Sequence, residues 1–102
     1  PYLALAVCLA AGLDGIEKGL VPPPETTENI FAMDAKTRAE KGIVSLPGSL
    51  EEAIDLLEQD QLVREALGEH VFTNYVTGKR KEWGEYRTQI SQWEIDRYIV
   101  TY

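Results

Sequence analysis

The sequence predicts an all-α fold, and three observations carry that prediction. Two capping boxes, Ser49-Leu50-Glu51-Glu52 and Ser91-Gln92-Trp93-Glu94, mark helix starts. Phe72, Val76, Lys79, Trp83, Tyr86 and Ile90 recur at spacings of three and four, the helical period. The opening stretch from Pro1 to Leu13 is rich in Leu and Ala and carries no charge before Asp14.

A helix built on that opening stretch, from about Tyr2 to Lys18, is apolar on every side. Leu3, Val7 and Ala10 lie along one face, and Leu5, Leu9 and Ile16 along another. Such a helix is expected to be buried all round, with the later amphipathic segments each covering one side. It is too short for a bilayer, which needs about 20 apolar residues. Cys8 reads as a small buried hydrophobe. Gly19 suits a left-handed C-terminal cap, with Lys18 facing the helix dipole. Gly12 and Gly15 read as points of close approach by another backbone, since no phosphate-loop pattern accompanies them. The chain has no initiator Met and starts abruptly inside this segment, which points to a piece of a longer protein or a processed one.

Pro22, Pro23 and Pro24 then force an extended, exposed loop over residues 21–34. Within it, Asn29 to Met33 forms a short apolar patch expected to pin the loop to the body. Asp34 caps a short helix from Ala35 to about Lys41, stopped by Gly42. Residues 43–46 are extended, and Pro47-Gly48 is a turn.

The first capping box opens the next helix. There the Ser49 hydroxyl takes an orphan backbone N–H and Glu52 reaches back to the cap. Leu50, Ile54 and Leu57 form its apolar stripe. Its acids Glu51, Glu52, Asp55 and Glu58 are expected to face water near a helix N-terminus rather than to hold a metal. Asp60 caps a further short helix with Leu62, Val63, Ala66 and Leu67 as its apolar residues, and Gly68 ends it. A long helix runs from about Glu69 into the high eighties. His70, the only histidine, lacks the companions of a zinc site. The basic run Lys79-Arg80-Lys81 is flanked by Glu82 and Glu85 and reads as a solvated face. The second capping box restarts a helix over the tail, residues 91–102, whose apolar members are Trp93, Ile95, Tyr98, Ile99, Val100 and Tyr102. Chain ends of this kind need a home in the core or on another subunit.

With 102 residues the chain is one domain at most, able to bury roughly 65% of its unfolded surface. A formal net charge of -7 argues against nonspecific nucleic-acid binding and against an anionic membrane surface. A single cysteine excludes an internal disulfide and fits a reducing, cytoplasmic compartment. The N-terminus lacks the basic region of a signal peptide. No residue in the chain forms a credible catalytic, cofactor-binding or metal site.

Three separate stretches, in order, resemble bacterial type I glutamine synthetase: Pro1 to Ile16, Pro47 to Ala53, and Tyr86-Arg87-Thr88-Gln89 followed by Ser91 to Tyr98. The resemblance covers essentially the whole chain. It implies the helical C-terminal subdomain of a larger α+β catalytic domain in an ATP-dependent glutamate–ammonia ligase. In that family γ-glutamyl phosphate is the intermediate, and Mg2+ or Mn2+ neutralises charge in the phosphoryl transfer. The family's catalytic groups lie upstream of the part this chain resembles, so none is carried onto it. The resemblance also implies a homododecamer of two stacked six-membered rings. The tail residues Trp93, Ile95, Tyr98 and Ile99 would then reach the opposite ring. Some members are adenylylated on a Tyr in an Asn-Leu-Tyr-Asp loop. The matching residues here are Asn29-Ile30-Phe31-Ala32, and Phe31 has no hydroxyl to modify. Two other readings stay open from the residues alone: a related γ-glutamyl ligase acting on another amine, and a free-standing helical assembly module.

Overall fold

The computed structural model describes residues 1–101. Their regular structure is helical, with no strand among the described residues. Tyr102, counted with the apolar tail, lies outside them.

Helix α1 spans Tyr2–Glu17. It ends as its glycine predicts. Gly19 sits at φ +62°, its N–H donates to the Ile16 carbonyl at 3.1 Å, and the Leu20 N–H donates to the Gly15 carbonyl at 2.9 Å. These two bonds satisfy carbonyls that the helix end would otherwise leave unpaired. The Lys18 ammonium donates to Asp14 at 2.9 Å.

The predicted loop is extended and exposed from Leu20 to Glu28. Its tip is a 3-10 turn, Ile30–Ala32, capped by Asn29, whose side chain accepts from the Phe31 N–H at 3.1 Å. The expected pinning role of this patch fails at Phe31, which is fully exposed. An ion pair anchors the loop instead: Glu28 to Lys41 at 2.5 Å. Lys41 closes α2, Ala35–Glu40, which starts at the Asp34 cap and ends at Gly42 with φ +68°.

Helix α3, Leu50–Gln59, begins at Ser49, whose hydroxyl accepts from the Glu52 N–H at 3.2 Å. The return bond differs from expectation. Glu52 accepts from the Gly48 N–H at 2.7 Å, one residue before the cap. Helix α4, Gln61–Leu67, starts at Asp60, which accepts from the Val63 N–H at 2.9 Å. Gly68, at φ +76°, ends α4 and opens α5, Glu69–Tyr86.

The core lies between α3 and α5. Ile54 and Phe72 are each 2% exposed, Val76 is buried beside them, and Leu50, Leu57, Leu67 and Trp83 pack around the three. The stripe of α5 is therefore real only as far as Trp83. Tyr86, the last residue of α5, is exposed, and Ile90 is exposed beyond the end of the helix.

Helix α1 packs chiefly against α4. It contributes no buried residue, so the expected burial on all sides is not met within this chain. Leu5, Leu9, Leu13 and Ile16 are exposed, as is Cys8. A Cβ on Gly12 or Gly15 would meet nothing within 4 Å among the described residues. The amphipathic helices spend most of their apolar faces on each other, leaving α4 as the main neighbour of α1. The chain exposes 8776 Å², against roughly 5,800 Å² for a compact protein of this mass. Its radius of gyration is 18.7 Å, against about 13 Å for a compact chain of this length.

Candidate functional site

Three places combine chemistry with position: a charged cluster on α3 and α5, a groove beside α1, and the tail.

In the charged cluster, Arg80 of α5 donates to Asp55 of α3 at 2.5 Å and also to Glu58. These hydrogen bonds push the guanidinium above its ordinary value. Asp55 and Glu58 were expected to face water, and Arg80 to sit on a solvated face. They meet instead, because both helices pack their apolar stripes on Ile54 and Phe72 and so align their flanks. Sequence reasoning missed this bridge, whose partners stand 22 and 25 residues apart and leave no local signal. The neighbouring Lys79 is drawn to Glu82 at 2.6 Å, and that bond raises its affinity for the proton. Its stem lies along the groove, as expected of a lysine interrupting an apolar stripe.

The cluster does not fit a divalent cation. Arg80 occupies two carboxylates, and Glu52 is bound to the Gly48 N–H. His70 shares a hydrogen bond with Asn74 at 3.2 Å on the exposed face of α5. Among the described residues no group of three or more His, Cys, Asp and Glu side chains converges.

The groove measures about 420 Å³ and runs between α1 and the other helices. Val7, Cys8, Ile54, Leu57, Val63 and Leu67 are among its lining residues. It has the chemistry of an uncovered packing face, and Lys79 is its one charged member.

The tail begins with both halves of its capping box in place. The Ser91 N–H and hydroxyl both reach Glu94, at 2.7 and 2.8 Å, and Ser91 Oγ accepts from the Glu94 N–H at 3.3 Å. The Ser91 backbone N–H, and then its hydroxyl, hold the Glu94 carboxyl below its ordinary value. After one α turn, α6 (Gln92–Glu94), the backbone widens into a π turn, Ile95–Ile99. Of the four tail residues singled out from sequence, the structure brings Trp93 and Tyr98 together, edge to face, with ring centroids 6.1 Å apart. Ile95 is half-buried, while Ile99 stays exposed at 72%.

The family model that describes the catalytic domain of glutamine synthetase matches residues 1–98. The chain belongs to the glutamine synthetase catalytic-domain family. Curated glutamine synthetases align along all or nearly all of it. The protein from Thermus thermophilus is 52% identical over 102 residues, which is all of this chain and 23% of the relative. That from Methanosarcina mazei is 48% identical over 99 residues, 97% of this chain and 22% of the relative. That from Staphylococcus aureus is 40% identical over 102 residues. The chain thus spans less than a quarter of the length of these glutamine synthetases. No described helix is long and apolar enough to cross a membrane.

Proposed function

We propose that residues 1–102 form one helical unit of a larger α+β catalytic domain in a glutamate–ammonia ligase. The parent joins glutamate and ammonia at the expense of ATP, through γ-glutamyl phosphate, with Mg2+ or Mn2+ neutralising the phosphoryl charge. The match of residues 1–98 to the catalytic-domain family carries this reading. The unit's own role is scaffold and assembly. Arg80 engages Asp55 and Glu58, and the Gly48 N–H engages Glu52, which supports placing the metal and nucleotide groups in the remainder of the domain. The exposed sides of α1 are then the surface on which that remainder packs.

The tail is the assembly element of the proposal. It reaches a second copy of the chain in the opposite ring of a double hexamer, through Trp93, Ile95, Tyr98 and Ile99. Full burial of an apolar side chain contributes about 1.5–3 kcal/mol gross, and ordering and association costs offset much of it. A small surplus per tail, repeated around a ring, holds two rings together. The large exposed area of Trp93, Ile99 and Val100 supports this role.

An activity assay tests the ligase reading. The purified 102-residue chain is expected to form no glutamine from glutamate, ammonia and ATP, while the full-length parent forms it. Glutamine made by the fragment above a blank would place catalytic groups here. A parent that conjugates glutamate to another amine in preference to ammonia would move it to a related γ-glutamyl ligase.

A further inference from the structure

A single residue joins α4 to α5, and its backbone is one that side chains rarely permit. Gly68 sits at φ +76° and ψ 153°, a region essentially reserved for glycine. A Cβ there would meet nothing within 4 Å, so the demand for glycine comes from the backbone and not from crowding. The turn brings together side chains that a straight helix would keep apart. In an α-helix, residues five apart stand roughly 140° apart around the axis, and residues eight apart stand about 12 Å apart along it. Here one nitrogen of the Arg64 guanidinium, in the last turn of α4, donates to both Glu69 carboxylate oxygens at 2.9 and 3.1 Å. Glu69 opens α5, and Thr73 Oγ1 donates to it at 3.2 Å. The guanidinium carbon of Arg64 also stands 4.1 Å from the ring centroid of Phe72, the buried anchor of α5. A cation at the end of one helix and an anion at the start of the next each meet the favourable end of a dipole.

We propose that Gly68, Arg64, Glu69 and Phe72 form a rigid corner that sets the direction of α4 against the α3–α5 core and thereby the seat of α1. Helix α1 packs chiefly on α4, so its position follows that of α4. With seven residues, α4 is too short to be stable by itself and takes its direction from its two joints. At the α3 joint, Asp60 has ordinary extended backbone, and its side chain is spent on capping α4. The α5 joint is the one with a restricted backbone and a side-chain clamp across it. Arg64 suits the clamp because a planar guanidinium can lie over a ring while donating to a carboxylate, which a lysine ammonium cannot do in one geometry. The inference rests on the reading above that the rest of the domain packs on α1, and it adds the joint that positions that surface.

Amide hydrogen exchange in the full-length parent under native conditions tests the corner. Gly68→Ala strains the joint without a clash, and Arg64→Met removes the clamp while keeping an apolar stem. Each is expected to speed exchange over residues 3–13 and 61–67 on the order of tenfold, while residues 76–83 of α5 keep their unmodified rates. Arg64→Lys keeps the charge and is expected to stay as loose as Arg64→Met. Arg80→Met breaks the α3–α5 bridge instead and is expected to leave residues 3–13 unchanged. Unmodified rates over 3–13 in both the Gly68 and Arg64 variants would overturn the corner alone, since α1 would then be held by what packs on it. Full protection in Arg64→Lys would overturn the clamp geometry, and equal loosening of α1 by Arg80→Met would show a general loss of stability rather than a joint. Fast exchange over 3–13 in the unmodified parent would overturn the reading that the domain packs on α1, and the corner with it.

Discussion

Two phenylalanines, Phe31 and Phe72, show how little residue type alone decides. Phe72 is 2% exposed, packed from α5 against Ile54 of α3, with the Arg64 guanidinium carbon 4.1 Å from its ring centroid. Phe31 stands fully exposed at the tip of a loop stiffened by prolines and tied down by Glu28 and Lys41. Truncation should separate them. Phe72→Ala removes a packed ring and leaves a cavity, at a cost of about 3–5 kcal/mol. Phe31→Ala touches nothing and should stay within about 0.5 kcal/mol. Urea unfolding midpoints of the two variants in the full-length parent check this, and equal shifts would show that Phe72 does not hold α3 to α5. The sequence pattern already placed Phe72 on the α5 stripe. The solvation of Phe31 was not legible, because an apolar residue in a loop carries no periodicity to say which way it faces.

Helix ends are the best-determined elements of this chain. Asp34, Ser49, Asp60 and Ser91 all cap as their sequence positions predict. The signal is local, spanning three or four residues, so no tertiary contact is needed to read it. The tail cap has a pH dependence that follows from it. Folding holds the Glu94 carboxyl below its ordinary value of 4.5, because the charged form accepts from the Ser91 N–H and hydroxyl. A depressed carboxyl contributes stability above the unfolded value and loses it as pH falls through the folded one. The Ser91 amide should therefore stay protected from hydrogen exchange down to the ordinary glutamate range and lose protection below it. Glu94→Gln should flatten that dependence. Protection that persists unchanged at low pH in the wild-type tail would show that the carboxylate does not anchor the helix start. The π turn that follows had no such local sign. Two cyclic side chains five apart read as scattered apolar residues until the backbone register is known.

At the scale of the whole molecule, surface area is the governing quantity. An exposed 8776 Å² and a core of three buried residues leave the apolar sides of α1 and the groove beside it without cover in this chain. Uncovered apolar patches of this kind promote association. The isolated 102-residue chain should therefore self-associate, or hold α1 loosely with fast amide exchange over residues 3–13. A monomer by light scattering with slow exchange throughout those residues would show that α1 is stable on α4 alone. In the full-length parent the proposed packing of the remaining domain on α1 predicts that the same amides exchange slowly.

The sequence by itself determined the helices, their caps and the family. These rest on short-range periodicity, on hydrogen bonds between neighbours in the chain, and on three ordered stretches that resemble the family, whose model matches residues 1–98. It also showed that α1 is apolar on every side, and so demands burial. Only the tertiary structure decided where that burial is found and where it is not. Ile54 and Phe72 draw α3 and α5 together, that packing aligns Arg80 with Asp55 and Glu58, and α1 is left packing chiefly on α4. The physical reason is one of range. Capping and periodicity act over three to five residues, whereas burial depends on which distant faces remain free once the best-matched pair has packed.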